Sequence, residues 1–253
     1  MLPRSHRSLA LLFLAQAGSW LTPLAAQVGE GWVEYRPERK IHLVDFENKA
    51  LRKGMSSLDW RPAAAVGGPT PASSYASDAT SEVETFILHD HRANRAEIRL
   101  LNEYGQGARQ FEGYVTFYAP TDDQSVFQVW GSDEGATQLM LRAFAANGGE
   151  LRVANRPVKG MPVVASGVRG REVRVNIIHL QEDAGNRFLV YVDGALRLEF
   201  PDDEWATNHD GRNYHKYGVY GTLRGESARV QWRRVRHFRD GRPPAAPPPS
   251  TSP

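Results

Sequence analysis

The chain has 253 residues and no cysteine, so disulfides and thiolate chemistry are closed to it and its stability must come from a packed core. Lysine and arginine number 31 against 29 aspartates and glutamates. Without Arg4 and Arg7, which fall in the leader described next, the count is 29 to 29. That balance gives no argument for nucleic acid as a partner, so any anion site must be a local cluster.

The N-terminus reads as a leader. Arg4, His6 and Arg7 are followed by an apolar run over 9–15 and by the small stretch Leu24-Ala25-Ala26. Basic, apolar and small residues in that order make a secretory signal peptide over 1–26, with cut-off near Ala26. The run is short and is broken by Gln16, Gly18 and Ser19, too little to span a bilayer. A retained N-terminal anchor is the alternative. The expectation is a secreted or periplasmic protein with no transmembrane segment after cleavage, acting as a monomer.

Beyond the leader, helical periodicity is scarce and alternation is general. Strand-length segments are predicted over 95–101, 110–119, 125–131, 137–144, 172–180, 188–193, 195–200, 214–220 and 228–238, most of them rich in Val, Ile, Tyr, Phe and Trp. Turn residues separate them, among them Tyr104-Gly105-Gln106-Gly107, Thr121-Asp122-Asp123 and Asn147-Gly148-Gly149. Asp193-Gly194 between two alternating runs predicts a hairpin. So many short strands predict an all-β domain over 27–241, a jelly-roll sandwich of two antiparallel sheets. The stretch 62–78, rich in Ala, Gly, Pro and Ser, reads as a long loop. From Arg242 to the end, RPPAAPPPSTSP has nothing to bury and reads as a disordered Pro-rich tail over 242–253.

The period of two assigns faces. Ala96, Ile98 and Leu100 form an apolar side, which leaves Arg95, Glu97 and Arg99 on the other. Phe111, Gly113, Val115 and Phe117 point inward, with Gln110, Glu112, Tyr114, Thr116 and Tyr118 opposite. Tyr214, Lys216, Gly218 and Tyr220 share one face, and His215, Tyr217 and Val219 the other. A sheet face meant only for water carries Lys, Glu and Thr; paired arginines among tyrosines suggest a ligand.

On these strands the sequence resembles the alginate lyase superfamily, the jelly rolls of polysaccharide lyase family 7. That family carries an Arg-x-Glu-Leu-Arg strand, a Gln-(Ile/Val)-His strand and a Tyr-Phe-Lys-Ala-Gly-Val-Tyr strand. The counterparts here, in the same order, are Arg95-Ala96-Glu97-Ile98-Arg99, Gln128-Val129-Trp130 and Tyr214-His215-Lys216-Tyr217-Gly218-Val219-Tyr220. The stretch 110–144 is also similar to the plant citrate-binding-protein branch. The resemblance spans about 87–238 and implies a concanavalin A-like fold.

It also implies a chemistry. A lyase removes the C5 proton of a uronate and expels the oxygen on C4, which requires the neighbouring carboxylate to be neutralised. The resemblance assigns that neutralisation to Arg99 and Gln128, with Arg95 and Lys216 nearby, and proton transfer to Tyr220. Glu97, Trp130, Arg142 and Tyr214 complete the groove, and the implied partner is an acidic polysaccharide. The departure is at Trp130, where the active enzymes have His. An indole stacks on a sugar but transfers no proton, and losing a general base costs about 10²–10⁴-fold. A non-catalytic carbohydrate- or carboxylate-binding protein is therefore the alternative.

Each residue also has a plainer reading. Arg95, Glu97 and Arg99 could form a cross-strand ion-pair ladder, and Arg142 could simply be solvated. His89-Asp90-His91 lacks a third ligand at a telling spacing, so neither a metal nor another cofactor is expected. His215 falls on a core-facing position, and His179 reads as the close of a strand. There is no Gly-x-Ser-x-Gly elbow, Cys nucleophile or phosphate-binding glycine loop.

Overall fold

The computed structural model describes residues 27–45, 60–62, 72–131, 136–154, 160–181, 185–202 and 213–245. The leader expected over 1–26 and most of the expected tail, 246–253, lie outside the described residues.

Two antiparallel sheets form the predicted sandwich. One runs β11 (Val163–Ser166), β10 (Glu150–Ala154), β9 (Ala136–Phe144), β8 (Gln124–Gly131), β15 (Tyr214–Tyr220), β6 (Arg95–Leu101), β2 (Glu38–Leu43) and β3 (Trp60–Pro62). The other runs β14 (Ala195–Pro201), β13 (Arg187–Val192), β12 (Val173–Gln181), β7 (Gly107–Tyr118), β16 (Ala228–Arg239), β5 (Val83–Leu88) and β4 (Ser73–Asp78), with β1 (Val33–Tyr35) also paired to β16. Neighbours in sequence are often not neighbours in the sheet: β15 lies between β8 and β6, and β7 between β12 and β16. The β13–β14 hairpin turns on Asp193 and Gly194, both with positive φ (50° and 81°), as a two-residue turn matching the strand twist requires.

Inward residues of the two sheets meet as the alternation predicts. Ile98 and Leu100 from β6, Phe127 and Val129 from β8 and Tyr217 from β15 pack against Phe111, Phe117 and Trp232 of the other sheet. Phe111 lies 4.3 Å from Phe127 and 5.1 Å from Trp232, ring centre to ring centre. Trp232 Nε1 donates to the Val126 carbonyl at 3.2 Å, so its buried polar atom is satisfied. Each such side chain contributes about 1.5–3 kcal/mol on leaving water.

Two sequence expectations change. Part of the expected 62–78 loop is strand β4, because Ser73 and Tyr75 face inward and Tyr75 reaches Glu84 at 2.6 Å. Small Ser and Ala residues concealed that alternation. Gln110 and Glu112, assigned to the outer face, are buried. Val28 and Trp32 cross that face and pack with Ile178, Leu180, Leu189, Tyr191 and Phe238. Gln110 bonds the Val28 backbone twice, accepting from its N–H at 2.9 Å and donating to its carbonyl at 3.2 Å. Burial pushes Glu112 up to about 7, although Asn176 donates to it.

Candidate functional site

Cross-strand register decides which of the predicted residues meet. Arg99 on β6 pairs with Lys216 on β15, which pairs with Gln128 on β8. On the other side of β6, Arg99 pairs with Lys40 of β2. Two residues along the strand, Glu97 lies between Gly218 and His42. Tyr220 pairs with Arg95 and with Ser125, and Ser125 pairs with Arg142. Arg95 and Arg99 are four residues apart, ~13 Å along a strand. The structure therefore puts Tyr220 beside Arg95, and groups Arg99 with Lys216 and Gln128.

Glu97 is the centre of this face. It is 1% exposed, and Gln128 and Lys216 are 2% and 4% exposed, so these three form the floor. Gln128 Nε2 donates to Glu97 Oε2 at 2.9 Å, Arg95 Nε stands 3.2 Å from Oε1, and Lys216 Nζ 3.6 Å from the same oxygen. A buried carboxylate needs such company, since an unpaired charge in the interior is very costly. Burial pulls the Lys216 ammonium below its usual range, with Glu97 opposing and Arg95 and Arg99 adding to the fall. Gln128 Oε1 is buried and has no hydrogen-bond partner among the described residues.

Above this floor stand half-buried aromatic and cationic groups. Arg95 lies over the Tyr220 ring at 4.5 Å, Arg99 over Tyr214 at 4.0 Å, and Lys216 against Trp130 at 4.6 Å. Tyr214 and Trp130 are 6.4 Å apart and tilted by 35°. Burial pushes Tyr214 up to about 12 despite Arg99, so it is a neutral phenol at working pH. Cation–ring contacts of this kind contribute about 0.5–2 kcal/mol each and hold both partners in place. Arg99 also pairs with Glu103. Arg142 is pinned to Asp123, donating to its carboxylate at 2.8 Å and to its carbonyl at 2.6 Å.

Gly218 makes the β15 geometry possible. Its φ is +139°, and a Cβ there would lie 2.5 Å from the Ala96 carbonyl oxygen and 2.7 Å from Glu97 Cα. The ladder to β8 shifts register between Tyr217 and Tyr220. Gly218→Ala should therefore destabilise the protein by more than about 1 kcal/mol. Chemical denaturation checks this, and an unchanged midpoint would contradict it.

Two residues of this face were missed from sequence. Lys40 and His42 lie on β2, whose alternation of Lys40 and His42 with buried Ile41 and Leu43 was legible. Nothing local said that the strand joins β6. His42 Nδ1 lies 3.3 Å from Arg95 Nη1, and burial together with Arg95 and Lys216 holds the imidazole down to about 3.

The other histidines have different surroundings. His89 Nε2 is 2.8 Å from Ser74 Oγ, and Asp90 is taken by Arg92. His179 does not close its strand. It bridges Tyr104 Oη at 2.8 Å and Asp202 at 3.2 Å inside the sandwich, and Tyr104 Oη also reaches His215 at 3.1 Å. A cleft of about 400 Å³ lined by Tyr35, Arg36, Arg39, Arg236 and His237 shares no residue with the Glu97 face. Arg39 and Arg236 in it are already paired, with Glu84 and Glu34.

Solved structures of alginate lyases share this two-sheet fold. Alginate lyase AlyC3 superposes with a TM-score of 0.58 at 15% identity, covering 79% of this chain and 89% of that one. Alginate lyase A1-II', a member of polysaccharide lyase family 7, gives 0.57 at 14%, covering 81% and 96%. The alginate lyase from Klebsiella pneumoniae gives 0.57 at 11%, covering 79% and 94%. In sequence, the chain is similar to a citrate-binding protein of Hevea brasiliensis, 30% identical over 148 residues. That match takes in 57% of this chain and 56% of the relative, little more than half the relative's length. No family model matches the chain.

Proposed function

We propose that this sheet face holds a uronate-containing polysaccharide, alginate- or glucuronan-like, and cleaves it by β-elimination centred on Tyr220. The observation that carries the reading is the Arg95–Tyr220 contact at 4.5 Å, set beside Arg99, Tyr214 and Trp130 on one face. In the reaction a base takes the C5 proton, and its electrons form C4=C5 as the C4–O bond breaks. The leaving oxygen then takes a proton. Tyr220 is the proton-transferring group, and Arg95 beside it neutralises the carboxylate of the reacting sugar so that the C5 carbanion character is tolerable. Arg99, farther along the strand with Lys216, takes the carboxylate of a neighbouring sugar. Gln128 already gives its amide to Glu97, so its part is to fix that carboxylate beneath the sugar. Arg142, held by Asp123, borders the groove. Export, as the leader over 1–26 implies, fits a polymer partner; among the described residues no helix is long and apolar enough to cross a membrane.

The second reading is a non-catalytic carbohydrate- or carboxylate-binding protein. Trp130 favours it, because by the resemblance an indole, with Lys216 against its ring at 4.6 Å, stands where the active enzymes have a proton-transferring imidazole. The name of the Hevea relative points the same way.

Ultraviolet absorbance of the conjugated C4=C5 product decides between them. The protein mixed with a panel of polyuronates should raise absorbance on one polymer, and Tyr220→Phe should lower that rate by about 10²-fold or more. A rise untouched by Tyr220→Phe would overturn the Tyr-centred mechanism. No rise, with Trp fluorescence still reporting saturable binding, would establish the binding protein.

A further inference from the structure

The arginine beside Tyr220 is held from two sides. An arginine side chain carries about 2 kcal/mol of rotamer entropy, so a guanidinium that must stay over one ring needs tethers. Glu97 Oε1 supplies one, 3.2 Å from Arg95 Nε. His42 supplies the other, its Nδ1 3.3 Å from Arg95 Nη1. These two residues face each other across the β2–β6 ladder, so both tethers come from backbone-fixed positions.

A guanidinium only donates, so His42 Nδ1 must be the acceptor and the ring proton must sit on Nε2. A charged imidazolium would have no lone pair to offer and would repel Arg95. The surroundings keep the ring neutral: His42 is 4% exposed, with Arg95 and Lys216 as cations nearby and Glu97 as the opposing carboxylate. Its burial keeps it from the polymer, so its effect must pass through Arg95.

We propose that His42 is a positioning residue, whose imidazole and the Glu97 carboxylate together clamp the Arg95 guanidinium across the ring of Tyr220. This rests on the reading of Tyr220 and Arg95 as the working pair. The clamp gives this face a role for histidine distinct from the one lost at Trp130: it orients a cation rather than moving a proton.

Two variants separate orientation from packing. His42→Asn keeps an acceptor oxygen near the Nδ1 position, and His42→Leu fills the space with none. The rate of elimination should fall roughly tenfold in His42→Leu through kcat, with KM little changed, and His42→Asn should recover most of it. Equal loss in both variants, with circular dichroism showing both folded, would overturn the proposal, as would a fully active His42→Leu. A second measurement stands apart from turnover. Side-chain nitrogen NMR of the free protein should show His42 protonated at Nε2 and bare at Nδ1 at neutral pH. The opposite tautomer, or an imidazolium, would overturn the clamp. The correct tautomer with no elimination on any polymer would keep the clamp and remove only the lyase reading.

Discussion

Replacing Glu97 with leucine should destabilise the protein by about 3–5 kcal/mol, the usual cost of removing one partner from a buried charge cluster. In a domain of this size that lowers the melting temperature by roughly 10 °C or more. The cause is what remains behind. Lys216 is 4% exposed and has Glu97 as its carboxylate partner at 3.6 Å, while Arg95 and Gln128 lose a contact each. The cluster, not the lost methylene volume, is the expected source. Glu97→Leu combined with Lys216→Met removes both charges at similar volume and should recover much of the loss, since a hydrophobic replacement of a buried pair is often neutral. Urea denaturation of the two singles and the double completes the cycle. If Glu97→Leu alone stays within about 0.5 kcal/mol of the parent, the carboxylate is not the keystone described above.

Acid should unfold this protein well before its surface carboxylates alone would require. Burial holds His42 and His237 down to about 3, with Arg95 and Lys216 adding to the effect at His42 and Arg39 at His237. His215 and His179 are also lowered by burial, Asp202 opposing at His179. An unfolded histidine titrates near 6.5, so below that pH the unfolded chain takes up protons that the folded one refuses. Stability is therefore complete above about 6.5 and drains as the pH falls towards about 3, by ~1.4 kcal/mol per unit for each such group. Glu112 works the other way. Its folded value of about 7 exceeds the ordinary 4.5, so between those two values acidification favours the fold through this group. One carboxyl against several imidazoles leaves a net loss, steepening below about 4.5. Melting temperatures between pH 7 and pH 4 test this. His237→Phe should flatten the dependence, since His237 packs 5.6 Å from Phe111 and its Nδ1 has no hydrogen-bond partner among the described residues. A melting temperature that does not fall over that range would contradict the assignment.

Alternation is a local property, which is why so much of the fold could be read directly from the chain. The inward set Ala96, Ile98 and Leu100 and the outward set Arg95, Glu97 and Arg99 follow from the period of two, as do Tyr214, Lys216 and Tyr220 opposite buried Tyr217 and Val219. The Asp193-Gly194 hairpin was legible because only certain residues accept its backbone angles. The resemblance of three strand motifs to those of the alginate lyases implied the same jelly-roll fold. Register, by contrast, is a long-range quantity set by packing and by irregularities such as the one at Gly218. Tertiary structure alone placed Tyr220 beside Arg95, brought His42 and Lys40 to the same face from a strand more than fifty residues away, and sank Glu97, Gln128 and Lys216 into its floor. It also drew Val28 and Trp32 over Gln110 on the far sheet. Side-chain direction is decided within one strand, whereas which side chains meet, and how much water they keep, is decided between strands.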